Sequence, residues 1–503
     1  MHVKYCRPPH PSLSKHPAAL LPGEPPTVPP DPRRWQALAV VLMAAFLGVL
    51  DFFIVNVSIP VIQGNLHASY AEIQLTIAGY GLAYAVFLIT GGRLGDIYGR
   101  KRMFLLGVAG FTLASALCGL APEPWTLIAA RVLQGLAGAM MFPQVLAIIQ
   151  VTFPAEERGR AFSFLGMVVG IGSFSGNVVG GLLVQANMLG LGWRPIFLVN
   201  LPVGLFALWA AHRLVRESRA ARAAGLDWGG VGIVSLGLVL LVYPLVQGQK
   251  AGWPAWAFAS LGASPLVLAA FVLYERRVTA RGGTPLVELT LFRERVFVTG
   301  LLTTVAFYGG LSAFFMAFTL FLQKGLGLPP WQTGLTFAPF ALGFLVASTR
   351  TVRVLRRLGS RTIQLGAGLM AVGLAAVISL TYAQGVSVPA LSLATVLLVY
   401  GTGQGFVMPT LLTTVLSDVP RQAAGSASGV LSTVQSVAMA LGVAVIGSVF
   451  IAVLGSPPEA PGFVRAIGAS LYLNIGLLAM TFGLVFLLPR WPDGSAAAGH
   501  VEF

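Results

Sequence analysis

Charge is scarce in this 503-residue chain: Asp, Glu, Lys and Arg together make up 10% of it, against about 25% in a soluble globular domain. Hydrophobic residues reach 56%. A water-soluble fold is excluded, and the chain reads as an all-α polytopic membrane protein. Cysteine is also rare. Cys6 lies in the N-terminal tail and Cys118 in an apolar run, so no disulfide framework exists. There is no G-x-x-x-x-G-K-[ST] phosphate loop, so direct use of ATP is not expected. H-E-x-x-H and metal-spaced Cys/His clusters are missing as well, so no metal and no cofactor is implied. The net charge of +15 would point to nucleic acid in a soluble protein; here the placement of the basic residues explains it better.

Apolar runs of about 20 residues suffice to cross a hydrocarbon core of about 30 Å. They fall near 37–61, 73–92, 103–121, 125–150, 160–185, 195–215, 228–248, 256–275, 296–323, 331–349, 363–383, 390–416, 424–454 and 467–488. Fourteen helices are therefore expected. With the N-terminus inside, the outer connections hold only Arg194, Lys250, Lys324 and Arg465 of the 32 lysines and arginines. So strong a bias predicts both termini in the cytoplasm, and the expected location is the cell's inner (plasma) membrane. Residues 1–35, rich in proline, read as a disordered cytoplasmic tail and not as a signal peptide. Asn56-Val57-Ser58 matches a glycosylation pattern by chance, because it lies within the first span.

The chain repeats itself. Pro143, Pro154 and Gly159 recur at the same spacing as Pro409, Pro420 and Gly425, which lays the fourth span over the twelfth and the fifth over the thirteenth. The expected organisation is an N-terminal six-helix bundle (36–216), an extra pair of helices with its linker (217–290), a C-terminal six-helix bundle (291–490) and a cytoplasmic tail (491–503). Transporters are commonly built from such repeats, with the substrate site between them near the midplane.

One carboxylate stands deep in the first span. Asp51 follows Gln36 by fifteen residues, about 22 Å along a helix. Holding an acid there costs several kcal/mol unless it is paired, hydrated or protonated, so such residues usually face a polar cavity and carry ions or protons. Satisfaction by neighbouring backbone or hydroxyl groups is the alternative. The expectation is that Asp51 lines a water-reachable chamber between the bundles. In the fourth span Arg131, Gly135 and Gly138 fall at i, i+4 and i+7 on one face, where small residues admit a neighbouring helix beside the guanidinium. Arg131 is within reach of Asp51 by depth, and snorkelling to the outer interface is its alternative.

The connection after the second span reads Gly91-Gly92-Arg93-Leu94-Gly95-Asp96-Ile97-Tyr98-Gly99-Arg100-Lys101-Arg102. It resembles the signature loop of the major facilitator superfamily, G-x-L-x-D-x-x-G-R-[KR]. Glycines there permit close helix approach and a tight turn, and an acid four residues before a base allows a local ion pair. The resemblance implies a gate that clamps the cytoplasmic ends of the two halves, built on Gly91, Gly92, Gly95, Asp96, Gly99, Arg100 and Lys101. The equivalent connection in the second half, Arg353–Arg361, carries Arg356 where the acid should be. Only the first half can supply the acidic part. The run Leu50-Asp51…Asn56…Pro60 looks like the first-helix motif of the fourteen-helix drug:H+ antiporter branch, with Phe52 in place of the usual threonine. The segment Gly192–Pro202 is likewise familiar, so the resemblance covers residues 36–490. In the fifth span Gly166, Gly170, Gly176, Asn177, Gly180 and Gly181 resemble the antiporter motif G-x-x-x-G-P-x-x-G-G. Asn177 replaces its proline, which removes the built-in kink, so the motif alone does not set direction.

The resemblance implies a major facilitator fold and a secondary transporter exporting lipophilic or amphipathic small molecules by proton antiport through alternating access. Asp51 and Arg131 are the proton-coupling candidates, and Asn56, Gln134 and Gln404 the substrate-binding candidates. Burial disfavours a charged carboxylate and a nearby cation favours it, so Asp51 could alternate between a charged, paired form and a neutral one. A drive of about 150 mV is worth about 3.5 kcal/mol per proton, enough for roughly a 300-fold gradient of a neutral substrate. A porter for one metabolite or lipid is the alternative in the same class. A polytopic membrane enzyme would need clustered acids or histidines at a membrane face, whereas the outer connections hold only Glu72, Glu123 and Glu459, scattered. The expected partners are a small amphipathic substrate, protons and the bilayer, with no nucleic acid.

Overall fold

The computed structural model describes residues 31–488 apart from 188–189, 221–224, 249–250 and 456–458. Most of the N-terminal tail, the C-terminal tail and Lys250 lie outside the described residues, as do the side chains of Asn56 and Asn177. Every regular element among the described residues is a helix. The first half runs α1 (Arg34–Leu66), α2 (Tyr70–Tyr98), α3 (Arg100–Leu120), α4 (Pro124–Thr152), α5 (Ala155–Ala186), a single turn α6 (Pro195–Leu198) and α7 (Asn200–Leu214). Next come α8 (Trp228–Gln247) and α9 (Ala255–Ala280). The second half runs α10 (Arg295–Leu320), a short α11 (Pro330–Thr336), α12 (Ala338–Leu358), α13 (Arg361–Gln384), α14 (Ala390–Val415), α15 (Ala424–Leu454) and α16 (Ala460–Leu484).

Thirteen of the described helical segments are long and apolar enough to cross a membrane. α5 is the remaining long one, 32 residues or about 48 Å. Packing repeats between the halves: α2 and α3 lie on α4 as α12 and α13 lie on α14, and α1 lies on α5 as α10 lies on α15. The halves meet through α2 with α15 and through α5 with α12 and α14, while α8 and α9 pack on each other and α8 also touches α2 and α15.

Two connections expected as loops are helical. α2 continues through Tyr98 and α3 begins at Arg100, so the break is the single residue Gly99 at φ +106°, a conformation that favours glycine. In the second half α12 continues through Leu358 and stops at Gly359, φ +56°. Hydropathy ends a span at the first charges, but long basic side chains reach water while the backbone keeps its helical hydrogen bonds.

Candidate functional site

Asp51 is completely buried on α1, and three donors converge on it. Arg131 Nη1 of α4 donates to Asp51 Oδ2 at 2.5 Å. Gln134 Nε2, one turn on, and Asn200 Nδ2 at the start of α7 donate to Asp51 Oδ1 at 2.9 and 2.8 Å. Ser115 of α3 closes the network, since its Oγ accepts from Asn200 at 2.8 Å and from Gln134 at 3.2 Å, and itself donates to the Phe197 carbonyl. Gln134 Oε1 in turn accepts from Arg131 Nη1 at 2.7 Å. α2 comes close where Gly135 and Gly138 leave room for Tyr80 and Tyr84, and the Tyr80 ring covers the guanidinium carbon at 4.1 Å. Three donors on one carboxylate suit its charged form.

The sequence expectation that Asp51 lines a chamber between the halves is corrected here. The carboxylate has no exposure, and every polar partner comes from the first half. The substrate candidate Gln134 is occupied in the same way, with no exposed surface. Gln404 sits apart on α14, buried, its Oε1 without a hydrogen-bond partner. Neither glutamine lines the apolar cavity of ≈ 370 Å³ between α1 and α5, formed by Ala39, Leu42, Met43, Phe46, Val168 and Ile171. Asn56 falls outside the described side chains. Asn200 and Ser115, which complete the network, carry no charge to mark them within an apolar run. The Gly192–Pro202 segment was the available signal for Asn200.

The α5 glycines face two ways. Gly176 and Gly180 lie flush on α1, where a Cβ at Gly176 would stand 2.8 Å from Phe53 Cβ and 2.9 Å from the Leu50 carbonyl. Gly166 and Gly170 meet the second half instead, with Phe344 of α12 2.9 Å from a Cβ at Gly170. Phe344 belongs to a stack of rings that continues through Phe340 to Phe315 and Tyr400. α5 thus touches the Asp51 segment and the opposite half through two faces of one helix.

The signature residues gather at the far ends of the halves. Asp96 is fully buried on α2 and accepts from the backbone N–H groups of Gly425 (3.0 Å) and Ser426 (2.8 Å) at the start of α15. A carboxylate at a helix N-terminus satisfies orphan donors and the positive end of the dipole. Arg100 pairs with Asp96 at 2.6 Å and donates to the Arg421 carbonyl at 2.8 Å. Gln150 Nε2 of α4 donates across the halves to the Leu416 carbonyl at the end of α14, 2.5 Å. Gly92 allows this approach, because a Cβ there would overlap the Gly425 carbonyl. Gly91 and Gly95 make room for α4, at the Ala139 backbone and the Gln144 side chain. Glu217, beyond α7, accepts from the backbone N–H groups of Lys101 and Arg102 at 3.0 and 3.2 Å, filling the space beside Gly99. Lys101 Nζ donates to the His212 carbonyl. The second-half partner of the acid is therefore a helix start and not the basic Arg353–Arg361 connection.

Comparison with known proteins accords with this geometry. The Major Facilitator Superfamily model matches residues 41–443. The "Probable actinorhodin transporter" of Streptomyces coelicolor is 41% identical over 452 residues, 88% of this chain and 78% of that protein. The "Puromycin resistance protein pur8" of Streptomyces alboniger is 36% identical over 470 residues, covering 91% and 92%. Among solved structures, the human organic anion transporter MFSD10 (TETRAN) superposes with a TM-score of 0.63 at 17% identity, over 92% of this chain and all of that one. Two similarly packed halves with a helix pair between them in the chain, thirteen described helical segments long and apolar enough to cross a membrane, and a match across four-fifths of its length make this chain a multi-pass membrane transporter that belongs to the major facilitator superfamily.

Proposed function

We propose that this chain is a secondary active transporter of the fourteen-helix drug:H+ antiporter branch, exporting lipophilic or amphipathic small molecules through alternating access. The observation that carries the reading is the buried Asp51–Arg131 pair with its fitted ring of neutral donors. Relatives named for the transport of actinorhodin and for puromycin resistance support export of small organic compounds. The domain limits of residues 36–216, 217–290 and 291–490, the cytoplasmic termini and the inner-membrane location belong to the same reading.

Protonation of Asp51 removes the anion that holds Arg131, Gln134 and Asn200 together. The Asn200 Oδ1 has no partner in this structure, and turning that amide over offers an acceptor to the new O–H. Leu50 and Phe53 on either side of Asp51 lie against Gly176 of α5, so a shift of α1 reaches the second half through Gly170 and Phe344. The bonds from Gly425, Ser426 and Gln150 across the far ends then have to break for the halves to rock apart there. Counter-transport in proteoliposomes with acid imposed on one side tests the reading, using a panel of lipophilic cations and neutral aromatics. Uphill substrate movement against the proton flow is expected. Movement of a single polar metabolite, or flux indifferent to the proton gradient, would overturn it.

A further inference from the structure

The pair α8 and α9 carries a further buried acid, at the edge of an apolar run. Glu275, near the end of α9, has no exposed surface. Its Oε2 accepts from the backbone N–H of Val287 in the linker, at 3.5 Å. Its other oxygen, Oε1, is buried and has no hydrogen-bond donor. Asp227 caps the start of α8: its Oδ1 accepts from the Gly230 N–H and the Tyr274 hydroxyl, both at 3.0 Å. Its Oδ2 is likewise buried without a donor. These two donorless oxygens flank the same space, since a Cβ at Gly230 would lie 2.5 Å from Glu275 Oε1 and 2.7 Å from Asp227 Oδ2.

Two acceptors facing each other in a buried space repel unless a donor lies between them. No lysine or arginine among the described residues forms an ion pair with either acid. The charges nearby are elsewhere engaged or exposed: Arg276 and Arg277 on α9 point outward, and Glu288 in the linker lies in the field of Arg93 and Asp96 of α2. We propose that Asp227 and Glu275 form a second proton-binding site, one proton shared between Asp227 Oδ2 and Glu275 Oε1, separate from Asp51.

The site is wired to the clamp by a single peptide unit. The N–H of the Leu286–Val287 peptide donates to Glu275, and its carbonyl accepts from the Ser426 hydroxyl at 3.5 Å. Ser426 is the residue whose own N–H donates to Asp96. A shared proton lets Glu275 stay against Val287 and leaves this chain of bonds intact. Loss of the proton sets two anions against each other, pushes α9 from α8 and slackens the peptide that braces the start of α15. Acid therefore holds the Asp96 end shut, and alkali loosens it.

The test measures the distance between spin labels at Tyr98 and Gln422, both exposed, on the full-length protein with Cys6→Ser, from pH 5 to pH 9 in the absence of substrate. An Asp51→Asn background removes any contribution of the first site. In that background the ratio of separated to closed ends is expected to rise about tenfold across the transition, equivalent to about 1.4 kcal/mol. Adding Glu275→Gln, which supplies an N–H donor to Asp227, is expected to hold the ends closed throughout. Independently, the acid-minus-alkaline infrared spectrum should contain a protonated-carboxyl band that survives Asp51→Asn and disappears in Glu275→Gln and in Asp227→Asn alike. A flat response in Asp51→Asn alone overturns the second site and leaves the exporter reading standing. So does a transition that persists in both acid variants, or one that follows sodium concentration instead of pH.

Discussion

Replacing Asp96 with asparagine isolates the energy of the clamp. The side chain keeps its size and one acceptor, but its other oxygen becomes an NH₂ group that faces a backbone donor, either Gly425 N–H or Ser426 N–H. The ion pair with Arg100 lies within the first half, but Arg100 also donates to the Arg421 carbonyl of the second half, so its weakening acts in the same direction as the loss of the bonds that cross from Asp96 to α15. A hydrogen bond to a charged acceptor is worth about 1.5–3 kcal/mol, and the carboxylate at the helix start adds about 0.3–1 kcal/mol. Losing one such bond and the charge costs the closed state about 2–4 kcal/mol. That corresponds to about 30- to 700-fold in the ratio of open to closed ends. Double electron–electron resonance between labels at Tyr98 and Gln422 reads that ratio directly. The expected record is a closed distance in the parent protein and a dominant longer one in Asp96→Asn. An unchanged distribution would refute the assignment of Asp96 as a cross-half cap.

Three further outcomes follow from contacts of the same kind. Gly92→Ala places a methyl group on the Gly425 carbonyl, so it should open the same end with the charges of the clamp intact, and the same labels report it. Arg131→Met leaves Asp51 buried without its cation, which should cost about 3–5 kcal/mol; pairing it with Asp51→Asn should restore most of the thermal stability in detergent, without restoring accumulation driven by a proton gradient. Gly176→Ala forces α5 away from α1 beside Asp51 and should cost about 1–3 kcal/mol, read as a lower melting temperature together with a reduced transport rate.

The two charges of the buried Asp51–Arg131 pair were legible because a charged residue in an apolar run stands out at once. Asp51 and Arg131 announce themselves by their cost in a membrane. Asn200 and Ser115 bear comparable parts of the network but are neutral, and neutral polar residues are common between packed helices. Their grouping depends on how α3 and α7 pack, which spacing along the chain does not encode. The clamp was half legible. Asp96 and its glycines are visible as a motif, whereas its partners are the backbone N–H groups of Gly425 and Ser426, which any residue pair could supply. The repeat brought Gly425 into view by its matching position with Gly159, not by its contact with Gly92. Span ends were displaced where basic residues continue a helix, as at Gly91–Tyr98 and Arg353–Leu358. That displacement also hid Asp96 and Glu275 as buried helical acids, leaving Asp51 to look solitary. Its chamber did not materialise either, because the network that satisfies the carboxylate closes within the first half.

The most direct test of the central claim compares the parent protein with Asp51→Asn in proteoliposomes, following substrate accumulation under an imposed pH gradient and, in parallel, exchange at equal pH. Proton coupling through Asp51 predicts that the variant retains substrate exchange but loses accumulation driven by the gradient. Undiminished uphill accumulation by Asp51→Asn would contradict it.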